Sequence, residues 1–194
     1  MKGTSPFIQH SLILLIGTVM IILLISSVMI FYNNLTISNT RAALKQVAVQ
    51  TANSIIHLYN LAQESDVQPK NSSSVVLSTL DLDYPEKVNG RNYEVLLVSS
   101  PGIWNFIINL TIEGKNTTII KEETSSSKII ARTTQEPFVS YEHDLTNVPI
   151  LIEGSYRSGG NATLRLVRFN YNGTIEDVIL LGDVDLIVKV LSIK

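Results

Sequence analysis

Cysteine is absent from the 194 residues, which excludes a disulfide framework, a thiolate-ligated zinc or iron–sulfur site and a thiol nucleophile. Neither sign of charge is in clear excess, with 15 basic against 17 acidic residues, so there is no basic field for nucleic acid. Three histidines are present, His10, His57 and His143, and no two stand at metal-ligand spacing. A Gly-x-Ser-x-Gly elbow, a phosphate-cradling glycine loop and a dinucleotide fingerprint are all missing. Charge is missing altogether from residues 7–32, where 19 of 26 residues are apolar or aromatic, and every acid and every base except Lys2 lies beyond that stretch.

That stretch is the first positive feature. From Leu12 to Tyr32 run 21 residues broken only by Gly17, Thr18, Ser26 and Ser27, which as a helix span roughly 31 Å, the hydrocarbon thickness of a bilayer. A cleaved secretory signal carries a shorter apolar core of about 7 to 15 residues. Here the run ends in Phe31-Tyr32-Asn33-Asn34, the aromatic-then-polar boundary of a membrane interface. A permanent single-pass anchor is therefore expected. Its apolar surface is carried by Leu12, Leu15, Val19, Ile22, Leu23 and Ile30, with Ser26 as a small polar position. Six Asn-x-Ser/Thr sequons, at Asn34, Asn71, Asn109, Asn116, Asn161 and Asn172, all follow the anchor. They favour an external, glycosylated carboxyl-terminal domain.

Beyond the anchor, residues 40–63 contain no Gly or Pro and place Leu44, Val47, Ala48, Thr51, Ala52, Ile55, Leu58, Tyr59 and Ala62 at 3-4 spacing. This predicts an amphipathic helix with Asn39 as its N-cap, or a continuation of the anchor helix if Asn33-Asn34 does not break it. Residues 64–74 read as a linker or exposed loop. The period then changes to two, with candidate strands at 75–80, 92–99, 104–112, 117–122, 128–133, 139–142, 150–155, 162–171, 174–181 and 184–193. Asn172-Gly173 is a hairpin signal of type I′ chemistry, and Glu113-Gly114-Lys115-Asn116 is a second turn. Ser158-Gly159-Gly160-Asn161 reads as a hairpin tip, Glu142-His143-Asp144 as a polar turn, and Trp104, the one tryptophan, as core. The expected fold is α+β: a long amino-terminal helix followed by an antiparallel, sandwich-like β head. Asp81-x-Asp83 and Asp183-x-Asp185 pair carboxylates on an extended chain, but no calcium-loop pattern follows either. Neither catalysis nor a cofactor or metal is expected.

The leader is the most specific piece. Lys2-Gly3-Thr4-Ser5-Pro6-Phe7, running directly into the apolar helix, resembles the class III signal peptide of archaeal type IV pilins and pilin-like proteins. The resemblance implies cleavage by a prepilin peptidase between Gly3 and Thr4, ahead of the helix, which then serves as anchor and afterwards as filament core. Bacterial members carry a Glu at the fifth mature position, where this chain has Ile8; archaeal members often lack it. The segments implied are a leader 1–3, a core helix 4–32, an amphipathic continuation 33–63, a linker 64–74 and an extracellular head 75–194. The partners implied are the membrane, identical or related pilin subunits and the pilus assembly machinery. The stator proteins of the archaellum, which bind the surface layer, look similar in layout. A membrane-anchored β ectodomain that does not polymerise is the alternative.

Overall fold

The computed structural model describes residues 6–70, 73–99, 107–112, 115–120, 127–145, 150–171, 173–182 and 187–191. Among the described residues one helix, α1 (Pro6–Glu64), precedes ten strands: β1 (Ser73–Asp81), β2 (Tyr93–Ser99), β3 (Ile107–Ile112), β4 (Lys115–Ile120), β5 (Ser127–Thr133), β6 (Ser140–Leu145), β7 (Leu151–Arg157), β8 (Thr163–Tyr171), β9 (Thr174–Leu181) and β10 (Ile187–Leu191). The fold is α+β, as the sequence predicts. The chain divides into two compact units, Met1–Asn39 and Thr40–Lys194.

In the first unit Pro6 is the first described residue of α1; a proline in the first turn of a helix costs little, because that turn has no acceptor for an amide proton. The hydroxyls of Thr18, Ser26, Ser27 and Thr36 donate to the carbonyls of Leu14, Ile22, Leu23 and Tyr32, four residues back, at 2.8 to 2.9 Å. The helix thereby satisfies these four hydroxyls within itself. Asn33, Asn34 and Asn39 are all helical, which corrects the expectation of an N-cap at Asn39. A helical Asn costs only about 0.7 kcal/mol against Ala, too little to stop a helix on its own.

In the second unit, α1 buries Thr40, Leu44, Val47, Ala48, Thr51, Ala52, Ile55, Leu58 and Ala62. They lie against a seven-stranded sheet of order β1-β8-β9-β7-β2-β5-β6. Register fixes which strand residues share the helix-facing side. Tyr93, Val95 and Leu97 of β2 stand opposite Thr133, Ala131 and Ile129 of β5, Val95 opposite Tyr156 of β7, and Leu164 and Leu166 of β8 opposite Leu181 and Ile179 of β9. All of these are buried. Fully burying a side chain of this size contributes about 1.5 to 3 kcal/mol, so this layer is the core. A second strip, with Val167, Phe169, Val178, Leu180 and Leu151, is buried on the opposite side of the sheet. Strands covered on both faces read as unbroken apolar runs, and 178–181, Val-Ile-Leu-Leu, is one. A second sheet has order β10-β3-β4 and is antiparallel throughout.

Two local expectations change. The pair β7·β9 is parallel, and β9 lies between β7 and β8 in the sheet, so residues 158–161 are a crossover and not a hairpin tip. Gly154 sits where that parallel pair closes: its φ is +114° and a Cβ there would stand 2.3 Å from the Leu181 carbonyl oxygen. Glu142-His143-Asp144 lies inside strand β6, paired with β5, and is not a turn. The stretch after α1 is tied down: Arg168 of β8 donates to the Ser65 and Val67 carbonyls at 2.6 and 3.1 Å, and Asn170 donates to that of Pro69 at 3.0 Å. Tyr171 pairs with Thr174 across the expected 172–173 turn, and Gly173 has φ +85°.

Candidate functional site

Two surfaces carry chemistry beyond the core. The first is the amino-terminal helix. Leu12, Leu15, Val19, Ile22, Leu23, Ser26 and Ile30 all lie in α1 and all are exposed. They belong to the one segment among the described residues that is long and apolar enough to cross a membrane. Gln9 and His10 sit near the start of that helix, also exposed.

The second surface is a cleft of about 810 Å³ on the side of the sheet away from α1, at the ends of β2, β5, β6 and β7. Strand register builds it. Glu94 of β2 stands directly opposite Arg132 of β5 and directly opposite Arg157 of β7, so one row across three strands reads Arg-Glu-Arg. Arg132 Nε donates to Glu94 Oε1, and Arg157 Nε lies 3.4 Å from Glu94 Oε2. The Glu94 side chain is 8% exposed, whereas those of Arg132 and Arg157 are 52% and 81% exposed. A buried carboxylate thus holds two accessible guanidiniums. Phe138, 71% exposed, lines the cleft together with Asn92, Ser140 and Glu142. The loop that carries Phe138 follows a cis Glu136-Pro137 bond and is held by Arg91, which donates to the Pro137 carbonyl at 3.1 Å. Its other anchor is Thr133, whose Oγ1 accepts from the Val139 amide at 2.9 Å. Lys128 stands 3.7 Å from Glu142 and 3.6 Å from Asp144, which sets those two exposed carboxylates beside a cation.

Burial also shifts titration elsewhere in the head, at Tyr84 and Glu153 among others. Burial pushes the Tyr84 hydroxyl far above its ordinary range, and it shares a hydrogen bond with Thr51 of the helix. Burial likewise raises Glu153, whose Oε2 is the one buried side-chain oxygen without a hydrogen-bond partner among the described residues.

The remaining sequence candidates are scattered. Among the described residues no three His, Asp or Glu side chains gather into a metal site. Asp81 accepts from Thr163 Oγ1 at 2.8 Å, Asp83 offers its backbone carbonyl to Gln50 at 3.4 Å, and Asp183 and Asp185 lie outside the described residues. Asn34 is exposed on α1 and Asn161 is exposed between β7 and β8. Asn109 and Asn116 lie in β3 and β4. Asn71, Asn172, Trp104 and the leader residues Lys2, Gly3 and Thr4 fall outside the described residues. The Arg132–Glu94–Arg157 row escaped sequence reasoning because its members are separated by 38 and 63 positions (132 − 94 and 157 − 94). Only the pairing of three strands brings them together. No protein-family model, curated protein or solved structure matches this chain.

Proposed function

We propose that the chain is a structural subunit, a pilin or pilin-like protein, of an archaeal type IV pilus-like surface filament. In this reading a prepilin peptidase removes residues 1–3, α1 anchors the subunit in the membrane, and subunits then associate through the exposed apolar half of α1. The β head faces outward and is glycosylated at some of its sequons. The observation that carries the reading is one helix, Pro6–Glu64, whose first half is apolar and exposed and whose second half supplies the core of a β head. Without water to drive them together, such helices associate by close packing of apolar and small side chains. The self-satisfied hydroxyls of Thr18, Ser26 and Ser27 suit that setting. The role is structural and calls for no catalysis and no cofactor.

The test is co-expression with an archaeal prepilin peptidase, followed by mass mapping of the amino terminus and electron microscopy of sheared surface fractions. Thr4 as first residue, block of processing in Gly3→Trp and Lys2→Glu, and filaments containing the chain are expected. An intact Met1-Lys2-Gly3 terminus beside an active peptidase overturns the reading. Thr4 maturation without filaments favours the second reading, a processed and anchored ectodomain that binds a surface-layer partner. The polar Gln9-His10-Ser11 step at the start of the apolar run favours that alternative.

A further inference from the structure

The Arg132–Glu94–Arg157 row has no role in building the core: it lies on the face of the sheet away from α1, and both guanidiniums are half or more exposed. A carboxylate offers about four acceptor positions and two guanidiniums carry about ten N–H donors between them. Donors therefore exceed what Glu94 can take, and strand register sets the two arginines on either side of it. Guanidinium forks match a planar carboxylate. Beside them stand one exposed aromatic ring, Phe138, and two short polar side chains, Asn92 and Ser140, both exposed.

We infer that this cleft binds a carboxylate-bearing saccharide, a uronic acid unit of an acidic polysaccharide. The carboxylate pairs with Arg157 and Arg132. The apolar C–H face of the pyranose ring lies on Phe138, and ring hydroxyls bond Asn92, Ser140 and the Glu142 carboxylate. A bare anion is a poorer match, because a cleft of about 810 Å³ with an aromatic wall is far larger than phosphate or sulfate needs. A peptide is also a poorer match. Its side chains call for apolar subsites, and here Val139 is buried and Ile130 is half-buried. A sugar offers what the lining complements: hydroxyls on most carbons, one apolar face and, in a uronic acid, one carboxylate. The inference goes beyond the filament reading and does not rest on it, since a single subunit holds the whole cleft.

The experiment titrates the full chain, in detergent or lipid nanodiscs, with a galacturonic acid trimer, with neutral maltotriose and with inorganic phosphate, by calorimetry. The uronate trimer binds saturably. Maltotriose binds at least about tenfold more weakly, as loss of a charge-assisted pair requires. Arg157→Gln and Phe138→Ala each weaken the trimer by about tenfold, while Lys70→Gln, remote from the cleft, changes nothing. Arg157 and Phe138 are exposed, so both variants keep the parent melting temperature; if one does not, Arg157→Lys, which retains charge but loses the planar fork, replaces it and still weakens binding. Equal binding of maltotriose overturns the proposal, as does unchanged affinity in both variants or absence of binding at millimolar trimer. Phosphate binding that competes with the trimer and ignores Phe138→Ala overturns it in favour of a simple anion site.

Discussion

Arg168 and Asp177, opposite each other on β8 and β9, form a two-point ion pair, Nε to Oδ1 at 2.7 Å and a terminal guanidinium nitrogen to Oδ2 at 2.9 Å. The same guanidinium donates to the carbonyls of Ala62 at 2.6 Å, Ser65 at 2.6 Å and Val67 at 3.1 Å. Carbonyls in the last helical turn lack their usual amide four residues on; that of Ala62 takes a long bond from the Ser65 amide at 3.3 Å and the shorter one from Arg168. Arg168 therefore closes the carboxyl end of α1, neutralises Asp177 and fixes the chain that leads to β1. Its pKa is raised first by the hydrogen bonds to Asp177, so it stays charged at any workable pH.

Arg168→Met removes that cation from the Asp177 carboxylate, which is only 16% exposed. The expected loss is about 3 to 5 kcal/mol, the cost of breaking rather than replacing a buried pair. Urea denaturation in detergent, followed by far-ultraviolet circular dichroism, measures it. Arg168→Met with Asp177→Leu recovers part of the loss; a double variant no more stable than the single one would show that the carbonyl contacts, not the charge pair, dominate.

Gly154→Ala places a methyl group 2.3 Å from the Leu181 carbonyl oxygen at a φ of +114°. Strain at such a backbone costs about 1 to 3 kcal/mol before the clash is counted, so an unstable or unfolded head is expected. Gly173→Ala, at φ +85° with open space around it, loses only about 1 kcal/mol. Thermal melts of the two variants should differ by several degrees.

Leu44→Ala and Ile55→Ala remove fully buried side chains from the helix stripe, and each is expected to cost about 2 to 5 kcal/mol. Leu23→Ala changes a residue that is 61% exposed and leaves the melting temperature of the head unchanged in detergent. Under the anchored reading its effect falls on membrane retention or assembly. Equal destabilisation by Leu23→Ala and Leu44→Ala would mean that the apolar half of α1 is packed against protein in the isolated chain.

Glu153 binds its proton more tightly folded than unfolded, because burial disfavours the carboxylate. The sign follows from linkage: its contribution is fully present below the unfolded Glu value, about 4.3, and is lost as pH rises through the raised folded value. Glu153→Gln, which keeps the shape without the charge, stabilises the head at neutral pH by about 1 kcal/mol, the low end for an unpaired polar group because solvent reaches part of the residue. The gain disappears in acid. Denaturation curves at pH 4 and pH 8 separate the two; a gain independent of pH would assign it to packing.

Much of the architecture was readable because the signals are local. The 3-4 spacing from Leu44 to Ala62 marks the face that α1 buries, since helix period is a property of neighbours in sequence. The switch to period two after Ser74, and the Asn-Gly pair between β8 and β9, likewise announce strands and a tight turn. The charge-free stretch 7–32 states its own length and polarity. Asn39 misled because its cap preference is weak beside the backbone bonds of a helix already under way. Ser158-Gly159-Gly160 misled because a tight-turn composition does not say which strand comes next in the sheet.

Local pattern assigned the class of each segment: an apolar helix, an amphipathic helix and a run of short strands. The pairing order was decided only by tertiary structure, because strand partners are chosen by burial summed over the sheet and not by neighbours in the chain. That order inserts β9 between β7 and β8 and makes β7·β9 parallel. It also joins Arg132, Glu94 and Arg157 into one row on the outer face, and it sends Arg168 across more than a hundred positions to close the helix at Ala62.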